Sequence, residues 1–108
     1  MTTGDIVLVP FPFAELTNIK VRPALVITTT KNRYKDLILC AVSSVIKGNT
    51  GNFEMLLNPD NLNKLRAISI IKIDRIITLK KERVIASLGK LSDTERKQFI
   101  KKFQALVD

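Results

Sequence analysis

The sequence contains no histidine, no tryptophan and only one cysteine. Without imidazole, the commonest acid/base catalyst and metal ligand is missing, and one thiol builds neither a zinc site nor an intramolecular disulfide. Cys40 lies in the apolar run Leu37-Ile38-Leu39-Cys40-Ala41-Val42 and reads as a buried structural thiol; a catalytic one would want a histidine partner. The four glycines are scattered, so no glycine-rich phosphate loop forms, and no serine-centred nucleophile elbow is present. The acidic residues lie apart and none sits in a metal-loop pattern, so no cofactor is expected. Apolar runs are only a few residues long, which is too short for a membrane span. The start, Met1-Thr2-Thr3-Gly4-Asp5, has no basic region and no small-residue cleavage site. No signal peptide is therefore expected, and a bacterial-type cytoplasm is the expected location.

What is present is positive charge. Eighteen Lys and Arg against ten Asp and Glu give a net +8. Such an excess favours polyanions: nucleic acid (RNA or DNA), an anionic membrane or an acidic protein segment. With 45% hydrophobic residues, the 108-residue chain is expected to form one domain over residues 1–108.

The pattern is mostly β with a C-terminal helix. Asp5 to Val9 is a strand that Pro10-Phe11-Pro12-Phe13 is expected to end, since proline cannot donate to a ladder. Ala14 to Val21 reads as a loop. Arg22 to Thr30 is a second strand, whose Pro23 end is expected at an edge. Lys31 to Lys35 is a basic turn, and Leu37 to Ile46 a third strand. Phe53 to Leu57 and Ala67 to Ile73 follow as strands, with a turn or short helix over Asn58 to Leu65 between them. Ile76 to Leu79 and Val84 to Leu88 are two more, separated by the charged turn Lys80-Lys81-Glu82-Arg83. Ser92-Asp93-Thr94-Glu95 matches a capping box, and Phe99, Ile100, Phe103, Leu106 and Val107 recur at helical spacing. Closely spaced strands closed by one amphipathic helix suggest a small, strongly bent sheet or barrel.

The remaining candidate chemistry is basic and hydroxylic. Lys20-Val21-Arg22-Pro23 opens a strand with a guanidinium, whose planar fork suits phosphate oxygens. Ser43 and Ser44 interrupt an apolar strand, and alternation allows only one of them to face a given site. Lys72 and Asp74 share a face by the same rule, with Arg75 beside them.

Read in order, these segments resemble the MazF/PemK family of toxins. Gly4 to Phe13 is similar to the family's opening, and Lys20-Val21-Arg22-Pro23-Ala24-Leu25-Val26 to its K-x-R-P-x-L-V signature. Leu39 to Ser44 resembles the strand ending in Thr-Ser or Ser-Ser. Ile73-Asp74 with Thr78, then Leu88 to Ser92, resemble the closing segment. The resemblance implies a small SH3-like, MazF-type barrel, usually a homodimer. It implies metal-free cleavage of single-stranded RNA at a short sequence, leaving a 2′,3′-cyclic phosphate and a 5′-hydroxyl, and a cognate antitoxin whose acidic segment lies over the RNA groove. By position, Arg22 carries over as the main catalytic residue. Ser43 takes the place usually held by threonine. Lys72 and Asp74 take the places of a basic residue and an aspartate used in some members, with lysine replacing arginine. The loop from Phe13 to Val21, with Asn18 and Lys20, is implied to cover the site. Lys31, Arg33, Tyr34, Lys35, Ser44 and Arg75 are the further candidates for RNA contact. Two other readings stay open. One is a CcdB-like gyrase inhibitor, although such chains finish with a tryptophan that this one lacks. The other is a catalytically inactive RNA-binding relic, which the departures at Ser43 and Lys72 allow.

Overall fold

The structure, a computed structural model, describes residues 1–12, 19–44 and 51–107. Within them, six strands form one antiparallel sheet: β1 (Asp5–Pro12), β2 (Ile19–Thr29), β3 (Leu37–Ser43), β4 (Glu54–Leu57), β5 (Ser69–Leu79) and β6 (Ala86–Lys90). Their order is β4-β5-β3-β2-β1-β6, and helix α1 (Asp93–Gln104) follows. The sheet curls into a half-barrel, so the mostly β class with a C-terminal helix stands.

Apolar alternation gives the curled sheet two cores. Ile6, Leu25, Cys40, Val42, Ile71 and Ile73 point to the face that α1 covers, where Phe99 is fully buried. Burying such a side chain contributes roughly 2–3 kcal/mol. Val7, Val9, Ala24, Val26, Leu37 and Leu39 form a second cluster on the opposite face. The helix starts at its capping box: Ser92 Oγ accepts the Glu95 N–H (3.2 Å), and Glu95 Oε1 accepts the Ser92 N–H (3.1 Å).

Several elements are to be set against the expectations. β2 begins at Ile19, so Ile19 to Val21, expected in the loop, are strand. β1 does not stop at Pro10 but pairs with β2 as far as Pro12↔Ile19. Its pairing with β6 reaches only Leu8, so beyond that point β1 is an edge strand, where a missing N–H is tolerated. Pro23 stands at a local edge, as expected, although β2 as a whole lies between β1 and β3: from Ile19 to Pro23 its ladder is with β1. The ladder to β3 begins at Ala24↔Ala41, leaving the proline just outside it. Finally, the two strands expected on either side of Asp74-Arg75 are one strand, β5, with an irregularity at the expected break. Cys40 pairs with Ile76 and Ala41 with Lys72, so Ile73, Asp74 and Arg75 have no β3 partner.

The segment between β4 and β5 is a turn built on Asn63, which is fully buried. Its Oδ1 accepts the Asp60 and Leu65 N–H groups (3.1 and 2.9 Å), and its Nδ2 donates to Asn58 O (2.9 Å). This turn lies against β6 so closely that a Cβ on Gly89 would stand 2.4 Å from Leu62 O. The charge run at Lys81–Arg83 is a single exposed 3-10 turn, as its solvated reading requires.

Candidate active site

Strand register assembles the candidate residues. Directly opposed residues in antiparallel strands point to the same face. One cross-strand row runs Val7↔Ala24↔Ala41↔Lys72↔Glu54. Arg22 lies two residues before Ala24 and Ser43 two residues after Ala41, so both move to the same end of the same face. Two strand residues span about 7 Å. In that next row, Arg22 faces Val9 and Ser43 faces Ile70. Arg22 and Ser43 are both half-buried at the margin of the second core. Lys20 continues the row pattern along β2 and is exposed.

Lys72 is held by a carboxylate that sequence reasoning does not single out. Its Nζ lies 3.7 Å from Glu54 Oε2. In the sequence, Glu54 passes as part of an apolar strand; the signal available is that alternation turns it away from the buried Met55 and Leu57. Asp74 is exposed in the irregular part of β5, four strand positions from Ile70, or about 13 Å. Arg75, beside it, is also exposed.

Other candidates lie elsewhere. Ser44 is exposed and lines a groove of about 410 Å³ with Leu65 and with Leu8, Val21 and Pro23, the last three belonging to the opposite strand alternation from Arg22 and its partner Val9. Lys31, Arg33, Tyr34 and Lys35 occupy the exposed turn joining β2 to β3, at the far end of β2 from Arg22. Roughly 25 Å of strand separates that turn from Arg22. Asn32 organises it: its Oδ1 accepts from Thr30 Oγ1 (2.9 Å), the Tyr34 N–H (3.0 Å) and the Lys35 N–H (3.2 Å). The Arg33 guanidinium lies 5.0 Å from the Tyr34 ring centre and donates to its hydroxyl (2.9 Å). Phe13 and Asn18 lie outside the described residues.

Cys40 is buried in the helix-side core, as its sequence context suggests, and burial pushes its thiol from 9.0 up to about 12. Among the described residues no three acidic or thiol side chains come together to hold a metal ion.

Residues 2–107 match the family described as PemK-like, MazF-like toxin of type II toxin-antitoxin system. The chain belongs to this toxin family. No curated protein matches it in sequence. Solved structures share the fold. An endoribonuclease in complex with its cognate antitoxin, from a mycobacterial species, superposes with a TM-score of 0.75 at 14% identity, covering 97% of this chain and 92% of that one. MazF from Deinococcus radiodurans gives 0.70 at 24% identity, covering 99% and 96%. The toxin MazF-mt6 of Mycobacterium tuberculosis gives 0.63 at 12% identity, covering 92% and 93%.

Proposed function

We propose that this toxin is an endoribonuclease that cuts single-stranded RNA at a short sequence without metal and is neutralised by a cognate antitoxin. The observation that carries the reading is strand register: Arg22 and Ser43 each lie two residues beyond the Ala24↔Ala41 pair, at the same end of one sheet face and one row from Lys72. Membership of the toxin family supplies the chemistry to which that arrangement is matched.

In this reading the ribose 2′-hydroxyl gives its proton to solvent and its oxygen bonds to the adjacent phosphorus. The P–O5′ bond breaks, leaving a 2′,3′-cyclic phosphate, and O5′ takes up a proton from solvent as the 5′-hydroxyl. Negative charge grows on the non-bridging oxygens of the phosphorane. The planar fork of Arg22 can take two of them, and the Ser43 hydroxyl can donate to the same group. A guanidinium in a protein does not give up its proton, so Arg22 acts by electrostatics rather than as the base. Lys72, about 7 Å along the face, holds a neighbouring phosphate. Asp74 lies too far from the Ser43 row to take the 2′-proton.

The net +8 suits an acidic antitoxin segment that folds as it covers the RNA face. The acting species is a homodimer of single-domain chains in the cytoplasm. The test is incubation with a long single-stranded RNA in EDTA, with mapping of the ends. Discrete cuts bearing 5′-hydroxyls, abolished in Arg22→Ala while RNA binding persists, are expected. RNA that is bound but never cut would overturn the enzyme reading.

A further inference from the structure

Lys72 is an ammonium on a flexible four-carbon stem, standing where a rigid guanidinium would need no external guide. Such a group acts in a fixed direction only if something holds it. Glu54 is built to do so. Its Oε1 accepts the Gly51 N–H (2.8 Å), which leaves Oε2 facing Lys72 Nζ at 3.7 Å. The backbone around it is tied down on both sides: the Glu54 N–H donates to Gly51 O (3.2 Å), and Phe53 O accepts the Ile73 N–H (2.9 Å). The two residues are also directly opposed in the ladder. Glu54 and Lys72 are 27% and 30% exposed, so the pair borders solvent and stays open to a substrate phosphate.

We infer that Glu54 is a positioning residue for RNA cleavage: it aims Lys72 and at the same time offsets its charge. The inference rests on the RNA-cleaving reading above. An ammonium has three donors, and at 3.7 Å Glu54 attracts Lys72 as an ion pair without taking a hydrogen bond, so the donors stay available to a phosphate. The pair as a whole carries no net charge, so it adds little to the general attraction of RNA. Direction is gained and non-specific affinity is reduced. Removing the carboxylate charge therefore moves binding and turnover in opposite ways, whereas a purely structural role would lower the active fraction and leave affinity unchanged.

The test compares wild type, Glu54→Gln and Glu54→Asp on an RNA that the wild type cuts and on its uncleavable 2′-deoxy counterpart. Glutamine keeps an oxygen for the Gly51 N–H. For Glu54→Gln we expect kcat to fall about fivefold and the 2′-deoxy strand to bind about threefold tighter. The slope of log affinity against log salt should steepen by about 0.7, the equivalent of one further phosphate neutralised. Glu54→Asp keeps the charge but shortens the reach, so kcat should fall with no gain in affinity. In a Lys72→Met background, Glu54→Gln should change neither quantity. Unchanged kcat and affinity in Glu54→Gln, or an equal loss of kcat with and without Lys72, would overturn the inference while leaving the nuclease reading intact. A wild type that cuts no RNA would overturn the nuclease reading and, with it, the role in cleavage; unchanged 2′-deoxy binding and salt slope would then overturn the charge-offset role as well.

Discussion

At one end of β2, cations are set into the sheet; at the other, they stand on a turn. Arg22 is half-buried and paired with Val9 in the β1 ladder, two residues beyond the start of the β3 ladder, and Lys72 is steered by Glu54. Lys31, Arg33 and Lys35 are exposed on a turn whose backbone is ordered by Asn32 and where Arg33 rests on the equally exposed Tyr34. Both ends attract a polyanion, because attraction needs only charge. Stabilising a phosphorane needs donors aimed beforehand at atoms that become charged during the reaction. The difference between the ends is one of direction, and register, not composition, creates it.

The largest effect is expected from a change that removes both ends together. Gly89→Ala would drive a methyl group into the backbone at Leu62, where nothing flexible can yield. Destabilisation of about 3 kcal/mol or more is expected in urea unfolding, with binding and cleavage falling in proportion. That result fixes what simple loss of fold looks like. Next, Arg22→Lys keeps the charge and removes the fork; cleavage should fall about a hundredfold with RNA affinity within a factor of about two. An equal loss in both would mean that the sheet end merely binds. A smaller effect, about tenfold on kcat, is expected for Ser43→Ala, with Ser43→Thr restoring it because the hydroxyl returns. Smaller again, replacing Lys31, Arg33 and Lys35 by glutamine should raise KM about threefold and leave kcat unchanged. The salt slope should flatten by about 0.7 for each phosphate that these side chains no longer neutralise. A fall in kcat there would erase the distinction between the ends.

The smallest effect concerns the core beneath both ends. With its thiol raised from 9.0 to about 12, Cys40 stays protonated in the folded chain while the unfolded chain ionises near 9. Its contribution to stability is therefore full below about pH 9 and is lost as pH rises from there towards about 12. Relative to Cys40→Ala, the wild type should lose stability over that window. A disulfide reagent should label Cys40 only at the rate of unfolding.

Much of this is legible in the sequence. The capping box at Ser92 and the spacing of Phe99 and Phe103 locate the helix. Alternation locates the β3 and β4 cores and shows that Ser43 and Ser44 must part. Pro10 misleads, since it reads as the end of a strand but lies where β1 loses only its β6 ladder, whereas Pro23 correctly reads as the place where β2 has an edge. The break expected at Asp74-Arg75 is real as a loss of pairing with β3, yet the strand continues through it. The ion pair of Lys72 with Glu54 is not legible, because β4 and β5 meet only once the chain has turned through Asn63. Likewise, nothing in the spacing of Lys31 to Lys35 shows that β2 carries them a strand's length from Arg22.

The most direct test of the central claim is a double-mutant cycle on Arg22→Lys and Ser43→Ala, read as single-turnover cleavage of one RNA. If the two side chains serve one phosphorane, the double variant should be little slower than the slower single variant. Losses that multiply independently would contradict the account, showing that Arg22 and Ser43 do not act as one site.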